Sequence, residues 1–170
     1  MKTQQHYYEV ISRNTVFTAK LIIEMHRYFL SEIYDWAGKY RTVNLERDGF
    51  RWPPAFLVEK NMKDFEVNIL RRYTPCRSGD LNSVSKAIAI VHSELLLIHP
   101  FRDGNGRIAR LIADLMALQA EYPTLDFAFN RKPNRETYLK ALLDGYSGNY
   151  APLAEIIKTA IKRSVKKLSH

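Results

Sequence analysis

An all-α domain carrying one short β-hairpin is the fold class that three features of this 170-residue sequence predict. Apolar residues recur at helical spacing along most of the chain, one later segment is apolar all round, and β-prone residues gather about a single turn signal. A chain of 170 residues suffices for one domain with a real core and is short for two. We expect a single domain over residues 1–170 with its core over about 15–160.

Residues 15–34, TVFTAKLIIEMHRYFLSEIY, place Val16, Ala19, Ile22, Ile23, Met25, Phe29, Leu30 and Ile33 at near-helical spacing, and Trp36-Ala37-Gly38 ends that helix. The next stretch, KYRTVNLERDGFRWPP over residues 39–54, reads as a hairpin. Thr42, Val43, Phe50 and Trp52 favour strands, Asp48-Gly49 is the turn, and Pro53-Pro54 closes it. Helical patterning resumes over 55–73 with Phe56, Leu57, Met62, Phe65, Ile69 and Leu70, and TPCRSGD is a loop. Residues 81–98 lack a polar face from Ala87 onward, which marks a central, buried helix. Ile108, Leu111, Ile112, Leu115 and Leu118 define another core helix running to about Tyr122. PTLDFAFNRKP is a connector with room for a short strand, and residues 134–146 and 150–168 form two closing helices.

Hydrophobic residues make up 46% of the chain and charged ones 26%, as in an ordinary soluble globular domain. The net charge of +8 favours an acidic partner: a nucleotide, nucleic acid, an anionic membrane or an acidic protein. Cys76 is the one cysteine, so no disulfide forms within the chain, and its surroundings support no nucleophilic role. The N-terminus lacks an apolar signal core, and no apolar run approaches the roughly 18 residues a bilayer requires. A soluble, cytoplasmic protein is expected.

The chemistry concentrates in IHPFRDGNGRIAR, residues 98–110. Pro100 stops the buried helix at His99, because the residue before proline avoids the helical region. Gly104 and Gly106 free the backbone for close approach to a ligand, and Asn105 is a good N-cap for the helix that follows. A glycine-rich turn feeding a helix N-terminus aims free N–H groups and the positive dipole end at one point, an anion cradle. Arg107 and Arg110 stand three apart on one helix surface, with planar forks suited to phosphate. Asp103 amid this positive charge suits Mg²⁺, which takes one or two carboxylates together with phosphate oxygens. His99 is the side chain here that accepts a proton near neutral pH. Together these are parts for phosphoryl or nucleotidyl transfer.

Each part also has an ordinary explanation. A histidine at a helix end caps or packs, Gly-Asn-Gly turns, and Arg110 with Asp114 makes an i,i+4 surface pair. A connector, however, has no need of all of them within twelve residues. The P-loop pattern G-x-x-x-x-G-K-[ST] is absent.

HPFRDGNGRIAR resembles the signature of Fic-domain proteins, H-[PX]-F-x-[DE]-G-N-G-R-x-x-R, at every defined position from His99 to Arg110. WAGKYRTVNLERDGFRWPP is similar to that family's flap hairpin, and the helical organisation agrees over most of residues 15–160. The resemblance implies transfer of AMP from ATP to a Tyr, Thr or Ser hydroxyl of a target protein. It makes His99 the base, Asp103 the holder of Mg²⁺ between the α- and β-phosphates, and Gly104, Asn105 and Gly106 the anion hole. Arg107 then faces the β-phosphate and Arg110 the γ-phosphate, while Phe101 anchors the loop. Lys39, Tyr40, Arg41, Thr42, Val43, Asn44, Leu45 and Phe50 form the flap that pairs with target backbone. Arg102 is left without a role and is expected to face solvent.

Many Fic proteins carry an inhibitory [ST]-x-x-x-E-[GN] helix whose glutamate pairs with the second motif arginine. Only Thr42–Glu46 has that spacing here, and it lies in the flap and is followed by Arg47. The resemblance therefore implies inhibition by a small separate antitoxin-like protein engaging Arg110. An unregulated enzyme, or one severed from a longer chain, is the competing account. Transfer of another phosphate-containing group is the alternative chemistry. A non-enzymatic nucleic-acid-binding domain is the alternative class, given +8 and the tail IKRSVKKLSH. Against it, the basic residues are spread over several elements and no RNP, helix-turn-helix or zinc pattern appears.

Overall fold

The computed structural model describes residues 2–77, 79–130 and 133–169. In order it has α1 (Lys2–Val10), α2 (Ala19–Leu30), β1 (Glu46–Arg47), β2 (Phe50–Arg51), α3 (Val58–Phe65), α4 (Arg71–Tyr73), α5 (Leu81–Ile98), α6 (Asn105–Gln119), α7 (Arg135–Asp144) and α8 (Ala151–Leu168). The helix expected over 55–73 runs as a short 3-10 turn, α3, a π-helical turn at Glu66–Leu70 and α4 in succession.

The apolar segment expected at the centre is there. Asp80 caps α5 by accepting from the N–H groups of Asn82 and Ser83, and α6 and α8 pack along its length. Ile88, Ala89, Val91 and Leu95 of α5 meet Ile108, Ile112 and Leu115 of α6 and Leu153, Ile157 and Ile161 of α8 in one continuous core. α5 is also long and apolar enough in composition to span a bilayer, contrary to the sequence expectation, yet 67% of it is buried inside the fold. On α8 the opposite face carries the exposed Lys162, Arg163, Lys166 and Lys167, the last two placed favourably against the helix dipole.

Three expectations need correction. An N-terminal helix, α1, precedes the first one expected; its sequence is too polar to show a stripe, and it docks through few contacts. Tyr7 is buried, His6 stacks on Tyr28 at 4.5 Å, and the Tyr8 hydroxyl donates to Asp114 at 2.9 Å. The hairpin is far smaller than its β-prone arms suggest, pairing only Glu46 with Arg51 and Arg47 with Phe50. Asp48 and Gly49 both have positive φ, the backbone a tight two-residue hairpin turn requires. The connector after α6 contains a 3-10 turn, Phe127–Asn130, and no strand among its described residues; Arg131 and Lys132 lie outside them. Cys76 is buried, and burial pushes its thiol up to about 11, so it stays protonated and inert.

Candidate active site

A helix ends with carbonyls that have no partner within the helix, and at α5 the flap supplies most of the donors. Arg41 reaches in and is only 2% exposed. It donates from Nε to the His99 carbonyl at 2.7 Å and from Nη2 to the Pro53 and Ile98 carbonyls at 2.6 and 3.4 Å. Its Nη1 donates to the Val43 carbonyl at 3.0 Å, and its backbone N–H to the Pro100 carbonyl at 2.9 Å. Trp52 Nε1–H donates to the Leu96 carbonyl at 3.0 Å. A cation at a helix C-terminus is also favourable to the dipole. The flap is thereby bolted to the end of the helix that presents His99.

His99 closes α5 in the left-handed conformation, φ 51° and ψ 62°, so its ring turns out of the helical ladder. Its Nδ1 lies 3.1 Å from the Leu96 carbonyl. A carbonyl only accepts, so Nδ1 carries the proton and Nε2 presents a lone pair. The Trp52 ring packs against the imidazole at 4.1 Å. Burial pushes the His99 pKa down to about 4, and the Arg41 charge lowers it further against the opposing Leu96 bond and Asp103. His99 is therefore neutral, and competent as a base, from pH 7 down to well below 6. If transfer requires the neutral ring, kcat/KM holds down to about pH 5 before falling. A half-point near 6.5, the ordinary histidine value, contradicts this.

Two side chains hold the loop between α5 and α6. The Asn105 amide is buried and spans both backbone groups of Phe101, accepting from its N–H at 2.9 Å and donating to its carbonyl at 2.8 Å. Asn105 is thus not the N-cap expected. Gly104 holds that position with φ 82°, because the asparagine amide is taken up by the backbone N–H and carbonyl of Phe101. His26, which sequence reasoning missed, stacks on Phe101 at 3.8 Å. Its Nδ1 accepts from the Gly38 N–H at 2.8 Å, so Nε2 donates to the Asp103 carbonyl at 3.0 Å. A Cβ on Gly104 would stand 3.0 Å from Leu30 Cδ1 and 3.3 Å from His26 Nε2, on a backbone that favours glycine.

The first turn of α6 presents the backbone groups expected to cradle an anion. The N–H groups of Arg107 and Ile108 both turn to the Gly104 carbonyl at 3.0 Å. Among the described residues, those of Gly104, Asn105 and Gly106 have no acceptor. These are the groups a phosphate at a helix N-terminus uses. Asp103 is exposed and ion-paired with Arg107 at 2.8 Å, and the Arg107 guanidinium also lies 4.7 Å from the centre of the Phe29 ring. Arg110 is half-buried, and burial lowers its pKa. It makes no surface pair with Asp114, which is buried and takes hydrogen bonds from Tyr8 and from the Leu125 N–H. Among the described residues no carboxylate ion-pairs with Arg110. Arg102 is exposed over the Trp36 ring at 5.9 Å.

The expected flap residues divide. Lys39, Thr42, Val43 and Asn44 are exposed, with the Asn44 side chain accepting from the Ala55 N–H at 2.9 Å. Tyr40 and Leu45 are partly buried, Tyr40 against Phe101, and Phe50 leans on Trp52 and Tyr146. Arg41 faces inward, and its guanidinium, spent on carbonyls, secures the flap.

Comparison with known proteins places this arrangement. The Fic/DOC family pattern matches residues 16–117. The probable protein adenylyltransferase y4lH of Sinorhizobium fredii is 29% identical over 139 residues, 81% of this chain and 69% of that protein. The protein adenylyltransferase Fic of Nematostella vectensis is 27% identical over 157 residues, 92% of this chain but 35% of that protein, so the chain spans about a third of its length. Among solved structures, BepC of Bartonella tribocorum with bound AMPPNP superposes with a TM-score of 0.75 at 20% identity, covering 94% of this chain and 80% of that one. A Fic domain of Bartonella quintana with bound ADP gives 0.76 at 18% identity, with 94% and 79% covered. The family match takes in α2, the hairpin, α5 and the whole loop from His99 to Arg110, so the chain belongs to the Fic/DOC family.

Proposed function

We propose that this chain is a protein adenylyltransferase, moving AMP from ATP to the hydroxyl of a Tyr, Thr or Ser on a target protein. The observation that carries the reading is the juxtaposition of a neutral His99, its Nε2 lone pair open, with three unpaired N–H groups at the start of α6. The adenylyltransferase names of the relatives support it. The target hydroxyl gives its proton to His99 Nε2 as its oxygen bonds to the α-phosphorus. The bond from that phosphorus to the bridging oxygen breaks, and pyrophosphate leaves carrying the oxygen. The Gly104, Asn105 and Gly106 N–H groups bind the charge developing on the phosphate oxygens. Arg107 and Arg110 neutralise the β- and γ-phosphates.

The residues also fit a magnesium ion. Asp103 is an exposed carboxylate at the rim of the anion cradle, and no cluster of three potential metal ligands occurs among the described residues. One carboxylate completed by phosphate oxygens and water is the arrangement Mg²⁺ prefers, and the ion would offset phosphate charge there. Asp103 must then leave Arg107, which becomes available to phosphate. The exposed stretch from Thr42 to Asn44 is the edge along which the target lies, giving register with little sequence selection. Glu46, the one glutamate with inhibitory spacing, is ion-paired with Arg51 on the flap. Arg110, without an ion-paired carboxylate among the described residues, accordingly suits a glutamate brought by a separate inhibitory protein.

Intact-mass spectrometry of lysate proteins incubated with the chain, ATP and Mg²⁺ tests the reading. Acceptors should gain the mass of AMP on a hydroxyl side chain, and a chelator should abolish the gain. Gain of a lone phosphate overturns it.

A further inference from the structure

His26 of α2 is fully buried, and both nitrogens of its ring are bonded to backbone far along the chain. On one side Nδ1 accepts the Gly38 N–H at 2.8 Å, where the chain enters the flap. On the other, Nε2–H donates to the Asp103 carbonyl at 3.0 Å, since a carbonyl can only accept. Between the two, the ring lies on Phe101 at 3.8 Å with 14° between planes, which leaves the imidazole little room to rotate. The loop side is close as well: a Cβ placed on Gly104 would stand 3.3 Å from Nε2. Among the described residues, the bond from His26 is the only hydrogen bond to the Asp103 backbone. The Asp103 carboxylate is exposed and paired with Arg107 at 2.8 Å, a partner it must give up to hold a cation.

A carboxylate that changes partners serves Mg²⁺ well only if its backbone stays in place, because the ion demands near-ideal octahedral geometry. We propose that His26 is a positioning residue for the divalent cation, its Nε2–H fixing the Asp103 backbone and so setting how strongly the carboxylate draws a magnesium-bound nucleotide into the site. The inference rests on the reading that Asp103 holds Mg²⁺. It predicts a loss confined to metal-dependent binding, which a purely structural histidine would not produce.

Titration calorimetry of the whole chain with ATP, in Mg²⁺ or in a chelator, tests it. The wild-type protein should prefer the magnesium form, and Asp103→Ala should lose that preference. Two amides divide the functions of the imidazole. In His26→Gln the terminal N–H reaches the place of Nε2 and can still donate to the Asp103 carbonyl. In His26→Asn the shorter amide can accept from Gly38 but falls short of Asp103. Both variants lose the ring against Phe101, so both should melt lower by similar amounts. His26→Asn should nevertheless lower the magnesium preference about tenfold, the scale of removing a partner behind a metal ligand, while His26→Gln should keep most of it. An equal preference in the two variants, whether retained or lost, overturns the positioning role. If Asp103→Ala keeps the wild-type preference, the premise about the metal is what has failed, and the proposal falls with it. The wild-type protein offers a second measurement that needs no variant. In ¹⁵N-edited spectra the His26 Nε2–H resonance should shift when Mg²⁺ joins the ATP complex, and a resonance that does not move overturns the proposal even where the variants fail to fold.

Discussion

His99→Ala is expected to lower transfer about a thousandfold while nucleotide affinity stays within a few-fold of wild type. The size follows from removing a positioned general base, which contributes roughly 10²–10⁴ in rate. Binding survives because the groups that would hold the phosphates belong to other residues: the three N–H groups of the α6 turn, Arg107 and Arg110. Alanine is strained at φ 51°, so part of any loss could come from a distorted loop. His99→Asn separates the two effects, since asparagine tolerates the left-handed conformation but cannot take the proton. Equal loss in both variants assigns the effect to the missing base. Recovery of activity in His99→Asn assigns it to the backbone. Rates at saturating ATP beside calorimetric affinities make the comparison.

Arg41→Ala should be the most damaging substitution outside the signature. It strips donors from the His99, Val43, Pro53 and Ile98 carbonyls in a largely buried site. Breaking such a network costs about 3 kcal/mol, of order 6–12 °C in Tm for a domain of this size. Function should suffer more than stability. The flap is released from α5 and the Trp52–His99 contact loosens, so transfer should fall about a hundredfold, the scale on which small misplacements act. Removing the charge that depresses the His99 pKa should also move the acid limb of kcat/KM toward higher pH. Arg41→Lys should recover little, because one ammonium cannot span carbonyls on both sides of the site. Full recovery by lysine would show that charge, rather than the guanidinium fork, holds the flap.

What could be read from the sequence follows a physical line. Local signals were legible: the spacing that makes α2, α5 and α6, the proline that ends α5, and the glycine turn that opens the N-terminus of α6. Properties that arise only when distant segments meet were not. Arg41 reads as one more polar flap residue until Ile98 and Pro53 are brought around it. His26 and His92 read as polar interruptions of apolar helices, and only the fold shows each bridging elements far apart in sequence. Asn105 departs from its local signal for a related reason. Its capping preference is real, but the buried backbone of Phe101 competes for the same amide and wins, because unpaired buried groups cost more than a missing cap. The hairpin shrank because Arg41 and Tyr40 are drawn toward the α5–α6 loop, which takes that stretch out of strand pairing.

The central claim is that a hydroxyl activated by His99 takes AMP, with the α-phosphorus, from ATP. The most direct test incubates wild-type protein and His99→Ala with lysate, Mg²⁺ and ATP carrying label at the α- or the γ-phosphorus in parallel. Wild-type protein should label acceptor proteins from the α position and not the γ position, and His99→Ala should label them from neither. Labelling from the γ position alone, or equal α-labelling by both proteins, would contradict the account.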